Sequence, residues 1–153
     1  ISFPQANSFE RVINICELLN TQELSREQVT EEYAFDIRQT NYYTDAARYL
    51  GLVEKHYEEG HKPIYSLSPL GKHIMKLNYK QRQLAFCKTI LQHRAFKETF
   101  RLCMKTGSIP DTSTIVGIMQ ESNLYKVESM STYIRRSSTI SGWINWMLGV
   151  IEE

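Results

Sequence analysis

The segment from Phe35 to Val53 carries polar side chains that can hydrogen-bond to DNA bases, at the start of a helix-length pattern. Arginine pairs bidentately with guanine, and asparagine or glutamine pairs in the same way with adenine. Threonine and tyrosine hydroxyls reach bases or phosphates, and a helix N-terminus attracts phosphate. The segment therefore predicts a DNA-contacting helix, with Arg38, Gln39, Thr40, Asn41, Tyr43, Thr44 and Arg48 as its candidate contacts.

A plainer interpretation of the same residues stays open. Asp36 is a natural N-cap, and Arg38 is close enough in sequence to pair with it on a solvated helix start. Tyr42 and Tyr43 are the weakest candidates, because aromatic residues at helical spacing more often lie in a core.

The end of this segment has a counterpart 98 positions later. Leu50-Gly51-Leu52-Val53-Glu54 aligns without a gap with Leu148-Gly149-Val150-Ile151-Glu152, and Arg38 then aligns with Arg136. Internal repetition of this kind predicts two copies of one module. The matching DNA-contacting candidates in the second copy are Arg135, Arg136, Ser137, Ser138 and Thr139, which suit phosphate contact better than base recognition.

The elements around the first copy predict helix, helix, helix and hairpin. The apolar spacing after Asn7 predicts a first helix to about Asn20, Ser25 caps a second, and the third runs from about Arg38 to Gly51. Residues 52–57 and 64–67 predict two strands around a turn. This is the order of a winged helix. Ser68, followed by Pro69, caps the next helix.

The second half is predicted to be helical. Residues 81–105 form the longest helical pattern, with a possible break at His93-Arg94. Ser137 or Ser138 is predicted to cap the last helix, on which Trp143 and Trp146 face outward. The fold class we expect is mainly α: two tandem winged-helix modules packed together, at residues 1–76 and 77–153, with a small β-wing in the first and a truncated or missing wing in the second.

Composition and charge limit the classes of function that the chain can have. The net charge of the 153-residue chain is +1, which argues against indiscriminate nucleic-acid binding. Residues 1–71 carry 6 Lys/Arg and 11 Asp/Glu, whereas residues 72–153 carry 12 and 6. This asymmetry hints at an anionic partner for the basic half, although two ordinary solvated surfaces explain it equally well. A basic stripe along the long helical pattern has the same two interpretations, and its members are Lys88, Arg94, Lys97, Arg101 and Lys105.

The residues that could perform catalysis or bind a metal are too scattered to form a motif. Cys16, Cys87 and Cys103 fit buried thiols in a reducing cytoplasm, so we expect a cytoplasmic protein. The four histidines lack metal-ligand spacing, and no glycine-rich phosphate loop is present. No acidic residue precedes a lysine by two positions, as a nuclease metal site requires. We therefore expect no catalytic site, metal or cofactor in this segment, and no membrane span.

The segment from Phe35 to Val53, followed by Leu67-Ser68-Pro69-Leu70-Gly71, resembles the winged-helix modules of bacterial type II restriction endonucleases. The resemblance covers about residues 7–75. It implies sequence-specific binding of double-stranded DNA, with catalysis assigned to a separate nuclease domain or subunit. Because the chain begins at Ile1 and ends where a second wing would start, we expect a fragment of a larger protein.

Two further functions stay open from the sequence. One is a protein-interaction or dimerisation module, with a second copy of the chain (a homodimer) among its candidate partners, for which Trp143 and Trp146 offer an apolar anchor. The other is a transcriptional regulator. Basic and acidic residues alternate in the predicted wing, where Lys55, His56, His61 and Lys62 favour phosphate contact and Glu58 and Glu59 oppose it.

Overall fold

The structure is a computed structural model that describes residues 1–60 and 62–152. The described residues form eight helices and three short strands, so the prediction of a mainly α chain is confirmed. None of the described helices is both long enough and apolar enough to cross a membrane. In chain order the elements are α1 (Phe9–Leu19), β1 (Leu24–Ser25), α2 (Arg26–Glu32), α3 (Ile37–Tyr49), β2 (Val53–Tyr57), β3 (Pro63–Leu67), α4 (Pro69–Met75), α5 (Tyr79–Leu91), α6 (Arg94–Thr106), α7 (Thr112–Glu121) and α8 (Met130–Glu152).

The chain divides into two compact units that do not coincide with the predicted modules. Unit 1 contains Glu10–Arg82 together with Ile1, and unit 2 contains Ser2–Phe9 and the chain from Gln83 onward. The division therefore falls inside α5 and not at residue 76. The N-terminal residues 2–9, which the predicted boundaries place in the first module, belong to the second unit.

Capping residues set the helix boundaries in unit 1. Ser25 accepts a hydrogen bond from the backbone N–H of Gln28, whose side chain accepts one from the backbone N–H of Ser25. Asp36 and Gln39 form the same reciprocal box at the start of α3. Each box satisfies two N–H groups that a helix start leaves without partners. Gly51, at φ +75°, ends α3 in the left-handed conformation that glycine adopts without penalty.

The three strands form one antiparallel sheet in the order β1-β3-β2. Leu24 pairs with Tyr65, and Lys55 pairs with Tyr65 from the other side. Leu24 and Tyr65 are buried, so this register sends one face of the sheet into the core. Because side chains alternate along a strand, the neighbouring residues lie on the opposite, outer face.

A serine connects the end of α3 to the start of α4. The Ser68 hydroxyl donates to the carbonyl of Gly51 at 2.6 Å and accepts from the N–H of Gly71 at 3.0 Å. A Cβ on Gly71 would overlap the backbone carbonyl of Leu52, so this close approach requires glycine. The cap predicted at Ser68, with Pro69 in the first helical turn, is therefore confirmed.

Unit 2 packs α5 to α8 with the N-terminal segment. The predicted long helix is broken between Leu91 and Arg94, where α5 ends and α6 begins. The core holds a row of aromatic rings in which Phe96 stacks between Phe3 and Trp143, with centroid distances of 5.3 Å and 4.8 Å. No strand occurs among the residues described for this unit.

The last helix starts earlier than the sequence predicted. It begins at Met130, so Ser137 and Ser138 lie within it, and the prediction that one of them caps it was wrong. Ser129 precedes the helix and accepts the backbone N–H of Thr132 at 3.2 Å. Serine is not specific to a cap, because it also fits inside a helix when its hydroxyl donates to a preceding backbone carbonyl. Ser137 does this to the carbonyl of Ile134.

Candidate nucleic-acid interface

One side of α3 is closed to any ligand. Thr40, Tyr43 and Thr44 are buried, so the prediction that they contact DNA was wrong. The Thr44 hydroxyl donates to the backbone carbonyl of Thr40 at 2.7 Å, and the Thr40 hydroxyl lies 2.8 Å from that of Thr30 on α2. The Tyr43 ring stacks on Phe35 with a centroid distance of 5.8 Å. These three side chains fix α3 to its own unit.

The opposite side of α3 is accessible. Arg38 is exposed, whereas Asn41, Tyr42 and Arg48 are partly exposed. Asn41, Tyr42 and Arg48 lie three, four and ten residues after Arg38, which keeps the four side chains within one side of a helix that turns 100° per residue. Ile37, with 51% of its surface exposed, precedes Arg38. We call this set, Ile37, Arg38, Asn41, Tyr42 and Arg48, the outer face of α3.

Two predicted contacts on α3 are already engaged by neighbours. The Gln39 side chain takes part in the capping box with Asp36, which uses its carbonyl oxygen and leaves its amide group. Arg48 donates from Nη1 to Asp45 Oδ1 at 3.2 Å. An exposed pair of this kind is weak, so Arg48 can exchange Asp45 for a phosphate at little cost. Arg38 and Asn41 are therefore the predicted base contacts that the structure leaves accessible.

Aromatic residues support the turn before α3. The Tyr33 ring lies 5.3 Å from that of Phe35, and the Arg11 guanidinium lies 5.4 Å above the Phe35 ring. The Tyr33 hydroxyl donates to the carbonyl of Asn14 on α1. Burial raises the pKa of Tyr33 to about 12, so this hydroxyl stays protonated as a donor. Ala34, at φ +52°, makes the tight turn between α2 and α3.

The hairpin presents a mixed charge. Lys62, Glu58 and Glu59 are exposed, and Lys55 and His56 are partly exposed. The Lys55 ammonium lies 5.5 Å from the centroid of the Tyr57 ring. The predicted contact His61 lies outside the described residues. Glu58 and Glu59 keep the tip of the hairpin acidic, so the structure gives the wing no clear preference for phosphate.

The predicted contacts of the second copy are mostly internal to unit 2. Ser137 and Thr139 are buried, so the prediction that they bind DNA was wrong. Arg136, also predicted to contact DNA, donates from Nη1 to the carbonyl of Phe3 at 2.7 Å. Arg135 and Ser138 are exposed on the other side of α8. The helix that was to present all five residues instead uses one side to hold the N-terminal segment.

One of the two tryptophans is buried, and the other is half-buried. Trp143 is fully buried and donates from Nε1 to the carbonyl of Ala6 at 2.6 Å, and the Trp146 ring lies 4.4 Å from that of Phe9. The prediction that both face outward was wrong for Trp143, and Trp146 is only partly exposed, because residues 2–9 cover that side of α8. The sequence gives no local signal of this, since the covering segment is more than 130 residues away.

The basic stripe is present on α6. Arg94, Lys97, Arg101 and Lys105 are exposed at spacings of three, four and four residues, which place them along one side of the helix. Arg101 pairs with Glu98 at 3.1 Å. The charge balance of the units differs from that of the two sequence halves. Residues 10–82 hold 10 Lys/Arg and 11 Asp/Glu, because four basic residues of α4 and α5 fall in unit 1.

The titratable groups of the two cores favour their neutral forms. Burial raises the pKa of Cys16 to about 12 and that of Cys87 to about 11, so neither thiol is an activated nucleophile. Burial lowers the pKa of His93. Cys87 also lines an apolar groove of about 500 Å³ in unit 2, together with Leu84, Lys88, Leu91, Gln92, Phe100, Met147 and Ile151.

Comparison with known proteins gives one family. A family model described as a domain of unknown function (DUF7226) matches residues 11–152. No curated protein and no solved structure matches the chain.

Proposed function

The chain belongs to the DUF7226 family of domains of unknown function, and we propose that its unit 1 binds double-stranded DNA through the outer face of α3. The observation that carries the proposal is the accessibility of Arg38 and Asn41 on one side of a helix whose other side is firmly packed. A recognition helix needs both properties, because side chains identify bases only when the helix holds them in a fixed position.

The residues around Arg38 fit base contact chemically. Arginine recognises guanine and asparagine recognises adenine, while the exposed Ile37 can contact the methyl group of thymine. Arg48, one end of a weak surface pair, is placed for a phosphate. Tyr42, which lies between Arg38 and Arg48 in the helix sequence, adds a hydroxyl group. Unit 1 is close to electrically neutral, so we expect affinity to depend on these few contacts and not on bulk charge.

The arrangement of elements supports a winged-helix architecture for unit 1. Helix, short strand, two helices and a two-stranded hairpin follow one another, and the short strand β1 joins the hairpin sheet. In such modules the third helix enters the major groove. The second predicted winged-helix module lacks this support, since the described part of unit 2 contains helices and no strand.

The wider role is proposed from resemblance alone. A DNA-binding unit of this kind would serve target recognition in a restriction endonuclease, and a separate nuclease domain or subunit would cut the DNA. The protein-interaction alternative loses its anchor, because Trp143 is buried and Trp146 packs on Phe9.

The test is a binding measurement on the full chain. Selection from a pool of random duplexes, followed by fluorescence anisotropy on the enriched sequence, should give an affinity that decreases with salt in proportion to the few phosphate contacts made. Arg38→Ala should weaken binding about tenfold to a hundredfold, as expected for loss of one bidentate base contact, and should relax the sequence preference.

The matched control is Lys76→Ala, which removes one exposed positive charge of the same unit at the residue that follows α4. If only diffuse charge matters, the two variants should lose affinity equally, and the α3 proposal fails. It also fails if no duplex is enriched and binding does not respond to salt. Asn41→Ala should change the preferred base at one position while the salt slope stays the same.

A further inference from the structure

The outer face of the sheet in unit 1 brings together three side chains that are far apart in sequence. Glu23 precedes β1, His56 lies in β2, and Glu58 follows β2. Each offers one ligand atom, and these three atoms lie within 4.8 Å of one another. His56 Nε2 lies 3.8 Å from Glu23 Oε2. We propose that these residues form a binding site for a divalent transition-metal ion of the zinc type.

The strand register explains why the three side chains converge. His56 pairs with Ile64, and Ile64 pairs with Ser25 on the other edge. Side chains directly opposite one another share a face, and residues two apart on a strand share it too. His56 and Glu58 therefore point the same way, and Glu23 joins them from the far edge of the sheet. The buried residues Leu24 and Tyr65 occupy the other face.

The distances are close to those of an occupied site. Zinc bonds to nitrogen and oxygen ligands measure about 2.0–2.2 Å, so tetrahedral ligand atoms lie about 3.4 Å apart. The side chains of Glu23 and His56 are 60% and 42% exposed, respectively. Exposed side chains move by rotamer changes, so the ligand atoms can close to this separation without a backbone shift.

The ligand types select the class of metal. Imidazole nitrogen suits zinc, copper, iron and nickel, whereas magnesium and calcium prefer oxygen ligands alone. Two carboxylates and one imidazole supply three protein ligands and leave at least one position open for water. Glu54, also exposed on this face, adds negative charge that favours a cation. Lys55, on the opposite face, packs over Tyr57.

The sequence did not predict this site because its ligands are not a short motif. Glu23 and His56 are separated by two helices and become neighbours only when β1 pairs with β3. Metal binding would then connect the segment before β1 to the strand β2 across the sheet. The inference stands on these three residues and does not depend on DNA binding.

The experiment titrates the full chain with Zn²⁺ alone by isothermal calorimetry at neutral pH. We expect a single Zn²⁺ per chain at this site. His56→Ala and Glu23→Gln should each weaken binding at least about tenfold. The matched control His73→Ala removes an exposed histidine of α4 in the same unit and should bind like the unaltered chain.

A second measurement locates the ion. Mn²⁺ should broaden the backbone amide resonances of Glu23, His56 and Glu58 before others. Addition of Zn²⁺ should displace Mn²⁺ and restore these resonances. The proposal is overturned if Zn²⁺ does not bind, if His56→Ala binds it as well as the unaltered chain, or if His73→Ala loses as much affinity. It is also overturned if Mg²⁺ binds as tightly as Zn²⁺, because that result indicates an acidic patch without a ligand set. Circular dichroism of each variant establishes that it is folded.

Discussion

Arg136 on α8 donates a hydrogen bond from Nη1 to the backbone carbonyl of Phe3, 133 residues earlier in the chain. Two further residues of α8 hold the same segment. Thr139 accepts the N–H of Ala6 at 2.9 Å, and Trp143 donates to the carbonyl of Ala6 at 2.6 Å. The spacing of three and four residues puts all three on one side of α8. That side is therefore structural and not a ligand surface.

Replacing Arg136 should destabilise unit 2. Arg136→Ala removes a charged donor from a partly buried carbonyl, which costs about 1.5–3 kcal/mol in typical proteins. Urea unfolding monitored by tryptophan fluorescence measures this loss of stability, because both tryptophans of the chain lie in unit 2. Arg135→Ala, which removes an exposed neighbour, should change stability by less than about 0.5 kcal/mol. Equal effects of the two variants would show that Arg136 does not hold the N-terminal segment.

Gly142 and Gly149 should respond in opposite directions to alanine. Both lie in α8, but a Cβ on Gly142 would overlap the backbone carbonyl of Asn7, whereas a Cβ on Gly149 meets nothing within 4 Å. Gly142→Ala should destabilise unit 2 by at least about 1–3 kcal/mol, as overpacking does. Gly149→Ala should stabilise it by up to about 1 kcal/mol, because alanine favours the helix. Thermal unfolding followed by circular dichroism compares them, and a stabilising Gly142→Ala would contradict the packing described above.

The sequence predicted unit 1 well because its signals are local. Capping boxes, a helix-ending glycine and a hairpin turn lie within a few residues of the structure that they set. The candidate contacts on α3 were less accurate, although the sequence contains an apolar stripe of Tyr43, Ala46, Ala47 and Leu50 that shows which side of the helix is buried. Tyr43 and Ala47 lie in that stripe, and continuing its spacing of three and four residues toward the N-terminus includes Thr40 and Thr44.

Unit 2 could not be predicted in the same way. Its last helix has apolar and hydroxyl residues on more than one side, so the inward side depends on what covers it. The cover is residues 2–9, and no short-range pattern links them to Thr139 or Trp143. The apparent repeat at Leu148-Gly149 added an error of its own, because Gly149 lies within α8 and does not end a helix as Gly51 does.

His93 should make stability depend on pH. Burial lowers its pKa below the ordinary value of about 6.5, so the unfolded chain takes up the proton at a higher pH than the folded chain does. Stability is therefore fully present above about pH 6.5 and falls as the pH decreases below it. A positive charge at the N-cap of α6 would oppose the helix dipole and act in the same direction.

The check is urea unfolding at several values between about pH 7 and pH 5.5, a range in which most carboxyl groups stay ionised. His93→Gln should flatten the dependence, and the exposed His73→Gln should leave it unchanged. If the stability of His93→Gln still falls with decreasing pH, the dependence comes from another titratable group.

The three cysteines should react slowly in the folded chain. At about pH 8 a thiol with a pKa near 11 is ionised to roughly one part in a thousand, and only the thiolate is nucleophilic. Cys87 should be alkylated first, because it lines the groove in unit 2, whereas Cys16 and Cys103 lie within the cores. A time course with iodoacetamide, followed by peptide mass spectrometry, gives the order. All three should label rapidly in denaturant, and earlier labelling of Cys16 than of Cys87 would contradict the burial described.

The placement of residues 2–9 has a consequence for synthesis on the ribosome. This segment leaves the ribosome well before its partners on α8, so its hydrogen bonds form only after more than 130 further residues have been added. Every residue of unit 1 from Glu10 to Arg82 is available much earlier. The order of translation therefore favours completion of unit 1 before residues 2–9 can contact α8, so unit 2 closes after unit 1.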